Sequence, residues 1–193
     1  MHDIEVYGLK ALGTNTGIRF KSAKTRGGVM HDIYIHDIEM DSVDSPFKFE
    51  LNWYPSFSYP VIPDSIPKSE YKSYWITMTT PVEPPERGIP EFRNITLENI
   101  SVKNGGTGLY VNAYPEKPMS NMLWKNITIE AQKSGEITCA KDWVMENVTM
   151  LTPSGYPIKL TQVENVQLPR IFKILDSSKG PANPDETGHV LGH

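Results

Sequence analysis

One short phrase recurs along the chain and constrains its fold more than any other feature. It consists of Asn or Asp, an aliphatic residue, a variable position and an apolar one, followed by a second Asn or Asp with another aliphatic residue. The clearest copies begin at residues 31, 93, 120 and 141, and partial copies lie at 2–6 and 163–166. Between the copies lie short runs of alternating apolar residues, several of them preceded by glycine, which is typical of short β-strands.

The spacing of these copies predicts a solenoid. Asn99, Asn126, Asn147 and Asn165 follow one another at intervals of 27, 21 and 18 residues. Units of this size without helical periodicity stack on their neighbours and bury a shared core. A β-sandwich would also show short alternating strands, but it would not repeat one phrase at the same point of each unit. The sequence therefore predicts an all-β fold, a parallel β-helix of about six coils in a single domain over residues 1–176.

The repeated asparagines allow two interpretations. Asn94, Asn99, Asn126 and Asn147 each begin an Asn-X-Thr or Asn-X-Ser sequon for N-glycosylation. Their equivalent positions favour a structural role at coil corners, where Asn and Asp tolerate left-handed backbone. Cys139 shares a strand face with Ile137, so we expect it to be a small buried side chain.

Two segments fall outside the repeat. Residues 52–90 are rich in aromatic residues and proline and form a long insertion, which either carries a binding function or covers the side of the solenoid. Residues 177–193 are rich in Gly, Pro, Asp and Ser, and we expect a flexible tail there.

Composition excludes several classes of function. The 193 residues include 19 Lys and Arg against 23 Asp and Glu, for a net charge of −4, so nucleic acid is not expected as a partner. No apolar run approaches the roughly 20 residues of a membrane-spanning helix. The single cysteine excludes an internal disulfide and a thiolate zinc site. The spacing of His31 and His36 does not favour a metal site, so we expect neither metal nor cofactor.

The densest chemistry lies in residues 17–28, where four cations occur within eight positions. Strand alternation places Ile18 and Phe20 inward and leaves Arg19 and Lys21 on the outer face, roughly 7 Å apart. A guanidinium and an ammonium held side by side suit a ligand that carries a carboxylate. A solvated strand face is the alternative reading of the same pair.

The sequence Gly-Ile-Arg-Phe-Lys-Ser at 17–22, followed by Arg-Gly-Gly-Val at 26–29 and the repeat copy at 31–40, resembles glycoside hydrolase family 28, the polygalacturonases and their relatives. The resemblance covers residues 1 to about 168. It implies a right-handed parallel β-helix and inverting hydrolysis of pectic galacturonans without a cofactor. Arg19 and Lys21 match the family's Arg-Ile-Lys motif, which implies that they bind the substrate carboxylate. A substrate-binding tyrosine of the family corresponds to Trp53 or Tyr54.

The resemblance does not extend to the family's catalytic motifs. The Asn-Thr-Asp motif, the Asp-Asp pair and the Gly-His-Gly histidine of the family, which precede Arg-Ile-Lys, have no counterpart in this sequence. Inverting hydrolysis requires an acid and a base carboxylate about 6.5–9.5 Å apart. We therefore expect a β-helix truncated at its N-terminus, without catalytic residues and inactive as a hydrolase. Members of the family are secreted or periplasmic, but the chain has no signal peptide, so its own localisation is left open.

Four functions remain open at this stage. The first is a fragment of a polygalacturonase-like enzyme for pectic or acidic polysaccharide, and the second is a non-catalytic β-helix that binds acidic oligosaccharides. In the third, an enzyme uses relocated carboxylates, for which Asp41, Asp44 and Glu50 are the candidates. In the fourth, a structural solenoid forms a homo-oligomer through its open N-terminal end.

Overall fold

A computed structural model describes residues 1–54 and 60–174, of which 62% lie in strands and 8% in helices. The strands are β1 (His2–Tyr7), β2 (Lys10–Leu12), β3 (Thr16–Lys21), β4 (Val29–Asp41), β5 (Ser45–Glu50), β6 (Glu91–Asn112), β7 (Met119–Thr152), β8 (Lys159–Val166) and β9 (Arg170–Lys173). One α-helix, α1 (Ser73–Thr79), and two 3-10 helices, Lys68–Glu70 and Pro85–Gly88, complete the regular structure of the described residues. The all-β prediction is confirmed.

All pairings among the nine strands are parallel and join them into one sheet that is not closed. Strands β1 and β2 pair with β4, which pairs with β6, and β6 pairs with β7. Strand β3 pairs with β5, which pairs with a later part of β6. The far end of the sheet is formed by β8 and β9, both of which pair with β7.

The long strands bend at left-handed residues. At about 3.3 Å per residue, the 34 residues of β7 would extend to roughly 110 Å if they were straight. Instead, the chain turns wherever a residue adopts a positive φ. Among the described residues, Asn and Asp hold most of the positive-φ positions that are not glycine: Asp3, Asp32, Asp37, Asn94, Asn99, Asn104, Asn121, Asn126, Asp142, Asn147 and Asn165. The left-handed conformation predicted for the repeated Asn and Asp residues is confirmed.

The same side chains bond to one another across the strands. The Nδ2 of Asn99 donates to Oδ1 of Asp37 at 3.1 Å, that of Asn126 to Asn99 at 3.3 Å, and that of Asn147 to Asn126 at 3.1 Å. These four residues form the amide ladder. The amide nitrogen of each sequon asparagine donates within such a row, since Asn94 bonds to Asp32 in the same way.

The inward residues of successive strands form one continuous core from Ile18 to Ile158. Its largest members are Trp124 and Trp143, whose ring centroids lie 5.8 Å apart, and Phe47, which contacts Trp124 edge-on at 5.1 Å. Cys139 is buried as predicted, and burial raises the pKa of its thiol. Its sulfur lies 3.2 Å from Oε1 of Gln162.

The segment between β5 and β6 contains α1 and the two 3-10 helices and, in its described part, no strand. It corresponds to the predicted insertion at 52–90. The tail predicted at 177–193 lies outside the described residues. Over the described ranges, no helix has the length and apolar character that crossing a membrane requires.

Candidate functional site

The outer face of β3 carries the two cations that the sequence singled out. Ile18 and Phe20 are buried in the core, whereas Arg19 and Lys21 point away from it. Phe20 stacks on Phe49 of the next strand with ring centroids 4.9 Å apart. Because this packing fixes the inward positions, the predicted alternation is confirmed.

The register of the sheet extends this face across four further strands. Arg19 lies opposite Lys48 of β5, Lys48 opposite Tyr110 of β6, Tyr110 opposite Glu136 of β7, and Glu136 opposite Lys159 of β8. Residues in register on parallel strands project from the same face of the sheet. These five side chains form what we call the outer row.

Arg19 is paired with a carboxylate of the neighbouring strand. Its Nη2 lies 2.7 Å from Oε2 of Glu50, and Nζ of Lys48 lies 3.4 Å from the other oxygen of the same carboxylate. The Glu50 side chain is only 16% exposed, so this triad is held against the sheet. A ligand carboxylate would therefore compete with Glu50 for Arg19.

Lys21 has a different environment. Its Nζ lies 3.3 Å from the centroid of the Trp53 ring, which is a close cation–π contact. The backbone nitrogen of Trp53 donates to the carbonyl oxygen of Ser22 at 3.0 Å, which fixes the indole beside β3. We call the cavity at this point the basic pocket. It has a volume of about 310 Å³ and is lined by Lys21, Ser22, Ala23, Arg26 and Trp53.

The charge of the basic pocket is not neutralised from within. Neither Lys21 nor Arg26 has a carboxylate within ion-pair distance in the part of the chain that the structure describes. Arg26 is placed by a turn in which its backbone nitrogen donates to the carbonyl oxygen of Ala23 at 3.1 Å. The pocket therefore presents two cations and one aromatic ring to solvent, which suits a planar or ring-shaped anion.

The structure separates the two aromatic residues between which the sequence could not choose. Trp53 lies under Lys21 and lines the basic pocket, whereas Tyr54 is 58% exposed and is not among the lining residues. The two rings are neighbours, with centroids 5.5 Å apart. Of the four predicted binding residues, Lys21 and Trp53 come together, Arg19 lies beside them in contact with Glu50, and Tyr54 lies at the margin.

Sequence reasoning did not assign site roles to Arg26, Lys48 or Glu50. The clustering of cations in residues 17–28 was the available signal for Arg26. Alternation along β5, in which Phe47 and Phe49 are buried, was the signal that Lys48 and Glu50 share the outer face. Their contact with Arg19 depends on the register between β3 and β5, which the sequence does not specify.

Of the carboxylates considered for a relocated active site, only Glu50 reaches the basic strand within the described contacts. Asp41 accepts hydrogen bonds from Nδ2 of Asn104 and Oγ of Ser42, both at 2.9 Å. The bond from Asn104, followed by that from Ser42, lowers the pKa of Asp41. Glu50 is bound to Arg19 and Lys48, and Asp44 has no side-chain contact with either cation in the described part of the chain.

No group of three or more His, Cys, Asp or Glu side chains within residues 1–54 and 60–174 could hold a metal ion. The two histidines of β4 contact carboxylates instead. Nδ1 of His31 lies 2.6 Å from Asp32, and His36 contacts Asp37 at 2.8 Å and Glu5 at 3.2 Å.

Comparison of the chain with family models, with curated proteins and with solved structures finds no match.

Proposed function

We propose that the chain binds an acidic oligosaccharide at the basic pocket and along the outer row. The observation that carries this proposal is the pair of cations without a carboxylate partner, Lys21 and Arg26, placed around the Trp53 ring. A uronic-acid unit offers a carboxylate for the cations and a sugar ring for the indole. Charge-assisted hydrogen bonds to carboxylates are among the stronger polar contacts.

The proposed fold is a right-handed parallel β-helix of the type found in glycoside hydrolase family 28. Support comes from the parallel pairing of the strands, the left-handed Asn and Asp bends, and the amide ladder, in which equivalent residues of successive repeats lie above one another. Right-handed crossovers are the rule for parallel strands of one sheet. The proposal of a family relationship rests on the Arg-Phe-Lys strand and its flanking sequence.

We further propose that this chain alone does not hydrolyse the ligand. Inverting hydrolysis needs an acid and a base carboxylate on opposite sides of the scissile bond. In the described part of the chain, no carboxylate lines the basic pocket, and Glu50 is held by two cations. Binding without turnover is therefore the expected behaviour.

The test is isothermal titration calorimetry with digalacturonate. We expect Lys21→Ala to weaken binding at least roughly tenfold, because a hydrogen bond to a charged group contributes about 1.5 kcal/mol or more. Trp53→Ala should have a similar effect. Lys103→Ala is the matched control, since it removes the same charge from an exposed position elsewhere on β6.

Two results would contradict the proposal. One is binding that Lys21→Ala and Lys103→Ala weaken equally, because only net charge would then matter. The other is the absence of binding to the unmodified chain. Release of reducing ends from polygalacturonate, measured in parallel, would contradict the statement that the chain does not hydrolyse its ligand.

A second candidate function is self-association. Tyr7, Leu9 and Leu12 are exposed along β1 and β2, the outermost strands that pair with β4. Sedimentation equilibrium over a hundredfold range of concentration tests it. A mass that rises with concentration supports this function, and a constant mass of 21.8 kDa contradicts it.

A further inference from the structure

A second cavity lies on the same face of the sheet as the basic pocket, and we call it the tyrosine pocket. It has a volume of about 420 Å³. Its lining includes Tyr110, Lys133, Glu136, Tyr156 and Lys159. Three of these residues, Tyr110, Glu136 and Lys159, belong to the outer row that begins at Arg19.

The floor of the tyrosine pocket is formed by backbone. Gly135 lines it with a φ of +110°, and a Cβ at this position would collide with the carbonyl oxygen of Leu109. Only glycine fits there, so the sheet is left bare between the surrounding side chains. The resulting depression can admit a ring from solvent.

One wall is an aromatic ring displayed by an ordered turn. The backbone nitrogen of Gly155 donates to Oγ1 of Thr152 at 3.0 Å, and that of Tyr156 donates to Oγ of Ser154 at 3.2 Å. Oγ of Ser134 also donates to the carbonyl oxygen of Tyr156. The Tyr156 side chain is nevertheless 74% exposed, although its backbone is fixed from three directions. Such a ring offers an apolar surface and a hydroxyl with little loss of conformational entropy on binding.

The charges around the tyrosine pocket favour an anion. Lys133 has no ion-pair partner among residues 1–54 and 60–174. Nζ of Lys159 lies 3.9 Å from Glu136, which is the longest ion pair of the molecule's described part, and its side chain is 76% exposed. Both ammonium groups are therefore available to a ligand that carries a carboxylate.

We propose that the tyrosine pocket binds a second uronic-acid unit of the same oligosaccharide that occupies the basic pocket, with the ligand lying across the strands along the outer row. Four strand spacings of about 4.8 Å separate Arg19 from Lys159, so the ligand must extend over roughly 19 Å. Lys48 and Tyr110 occupy the intervening positions, with Nζ of Lys48 5.9 Å from the centroid of the Tyr110 ring. This inference rests on the proposed function and adds a length requirement to it.

The experiment is calorimetric titration with digalacturonate and octagalacturonate, of which only the longer ligand can reach both pockets. We expect octagalacturonate to bind the unmodified chain at least about tenfold more tightly than digalacturonate does. Tyr156→Ala should weaken octagalacturonate binding by about fivefold, the size of one exposed aromatic contact, and leave digalacturonate binding unchanged. Lys133→Ala should act in the same direction.

Matched controls are Tyr74→Ala, which removes another exposed tyrosine, and Lys103→Ala, which removes another exposed lysine. Neither should change octagalacturonate binding relative to digalacturonate. Lys21→Ala should weaken the binding of both ligands, and this comparison separates the two proposals.

Each of three results overturns the spanning arrangement. Equal affinity for the two ligands, with Tyr156→Ala silent and Lys21→Ala effective, removes the tyrosine pocket and leaves the proposed function intact. Octagalacturonate binding that depends on Tyr156 and not on Lys21 overturns the proposed function as well, since the ligand would then use the tyrosine pocket alone. Absence of binding for both ligands overturns both proposals.

Discussion

Two rows of polar side chains cross the parallel strands, and they differ in how completely their members satisfy one another. In the amide ladder, the Nδ2 of each asparagine bonds to the preceding side chain, so the row is closed on itself. In the outer row and the neighbouring basic pocket, only some of the charges are paired. Arg19 contacts Glu50, but Lys21 and Arg26 have no carboxylate partner in the described part of the chain.

This difference separates structural polar groups from candidate binding groups. A row in which amide donors meet acceptors contributes to stability and offers little to a ligand, because an incoming group would have to displace existing hydrogen bonds. A row with unpaired cations contributes less to stability and can gain free energy by binding an anion. We therefore expect substitutions in the amide ladder to change stability and substitutions at the basic pocket to change binding.

The largest expected effect on stability is at the centre of the amide ladder. Asn126→Val should lower the free energy of unfolding by about 2–4 kcal/mol, because a β-branched residue disfavours the left-handed backbone and both ladder hydrogen bonds are lost. Urea denaturation followed by circular dichroism measures the change. Asn126→Gly is the matched variant, since it loses the same bonds without backbone strain, and it should cost less. Equal losses for the two variants would contradict the role given to the φ of +52° at this residue.

The next effect concerns the competition between Glu50 and the ligand for Arg19. Glu50→Gln removes the carboxylate charge, so we expect digalacturonate to bind about threefold to tenfold more tightly, corresponding to about 0.7–1.4 kcal/mol. Glu39→Gln is the control, since Glu39 is paired with Lys10 at 2.8 Å on other strands. Weaker binding by Glu50→Gln would show that Glu50 positions Arg19 for the ligand instead of competing with it.

The smallest effect is the pH dependence contributed by His36, which lies among Glu5, Tyr7, Tyr34, Asp37 and Glu98. Its ring contacts Asp37 and Glu5 and stacks on Tyr7 and Tyr34, while Oη of Tyr34 donates to Oε2 of Glu98 at 2.7 Å. The hydrogen bond with Asp37, followed by that with Glu5, raises the pKa of His36 above its ordinary 6.5. The hydrogen bond to Glu98 raises the pKa of Tyr34 to about 12, so Tyr34 stays neutral throughout.

Because the folded-state pKa of His36 is raised, its stabilising contribution is complete below pH 6.5 and is lost as the pH rises through the folded value. The unmodified chain should therefore lose more stability than His36→Gln between pH 6 and pH 8.5. Thermal unfolding at several pH values measures the difference. Identical pH profiles for the two proteins would contradict the assigned contacts. Digalacturonate binding by His36→Gln should match that of the unmodified chain, since His36 lies outside the basic pocket.

The repeat and the alternation of apolar residues were sufficient to predict the strand-rich fold, the left-handed Asn and Asp positions and the outward orientation of Arg19 and Lys21. These features depend on local chain geometry, which short sequence patterns encode. The contact between Arg19 and Glu50 depends on register across 31 residues, and no local pattern specifies it. The choice of Trp53 over Tyr54 depends on how the chain leaves β5. The tyrosine pocket was also not predicted, because Tyr110, Lys133 and Tyr156 converge from distant parts of the sequence.

The most direct test of the central claim is a nuclear magnetic resonance titration of the uniformly 15N-labelled chain with digalacturonate, following the indole N–H signals. We predict that the signal of Trp53 shifts progressively, that the signals of the buried Trp124 and Trp143 stay in place, and that Lys21→Ala abolishes the shift. A Trp53 signal that does not move, or that moves equally in Lys21→Ala, would contradict the assignment of the basic pocket as an acidic-sugar site.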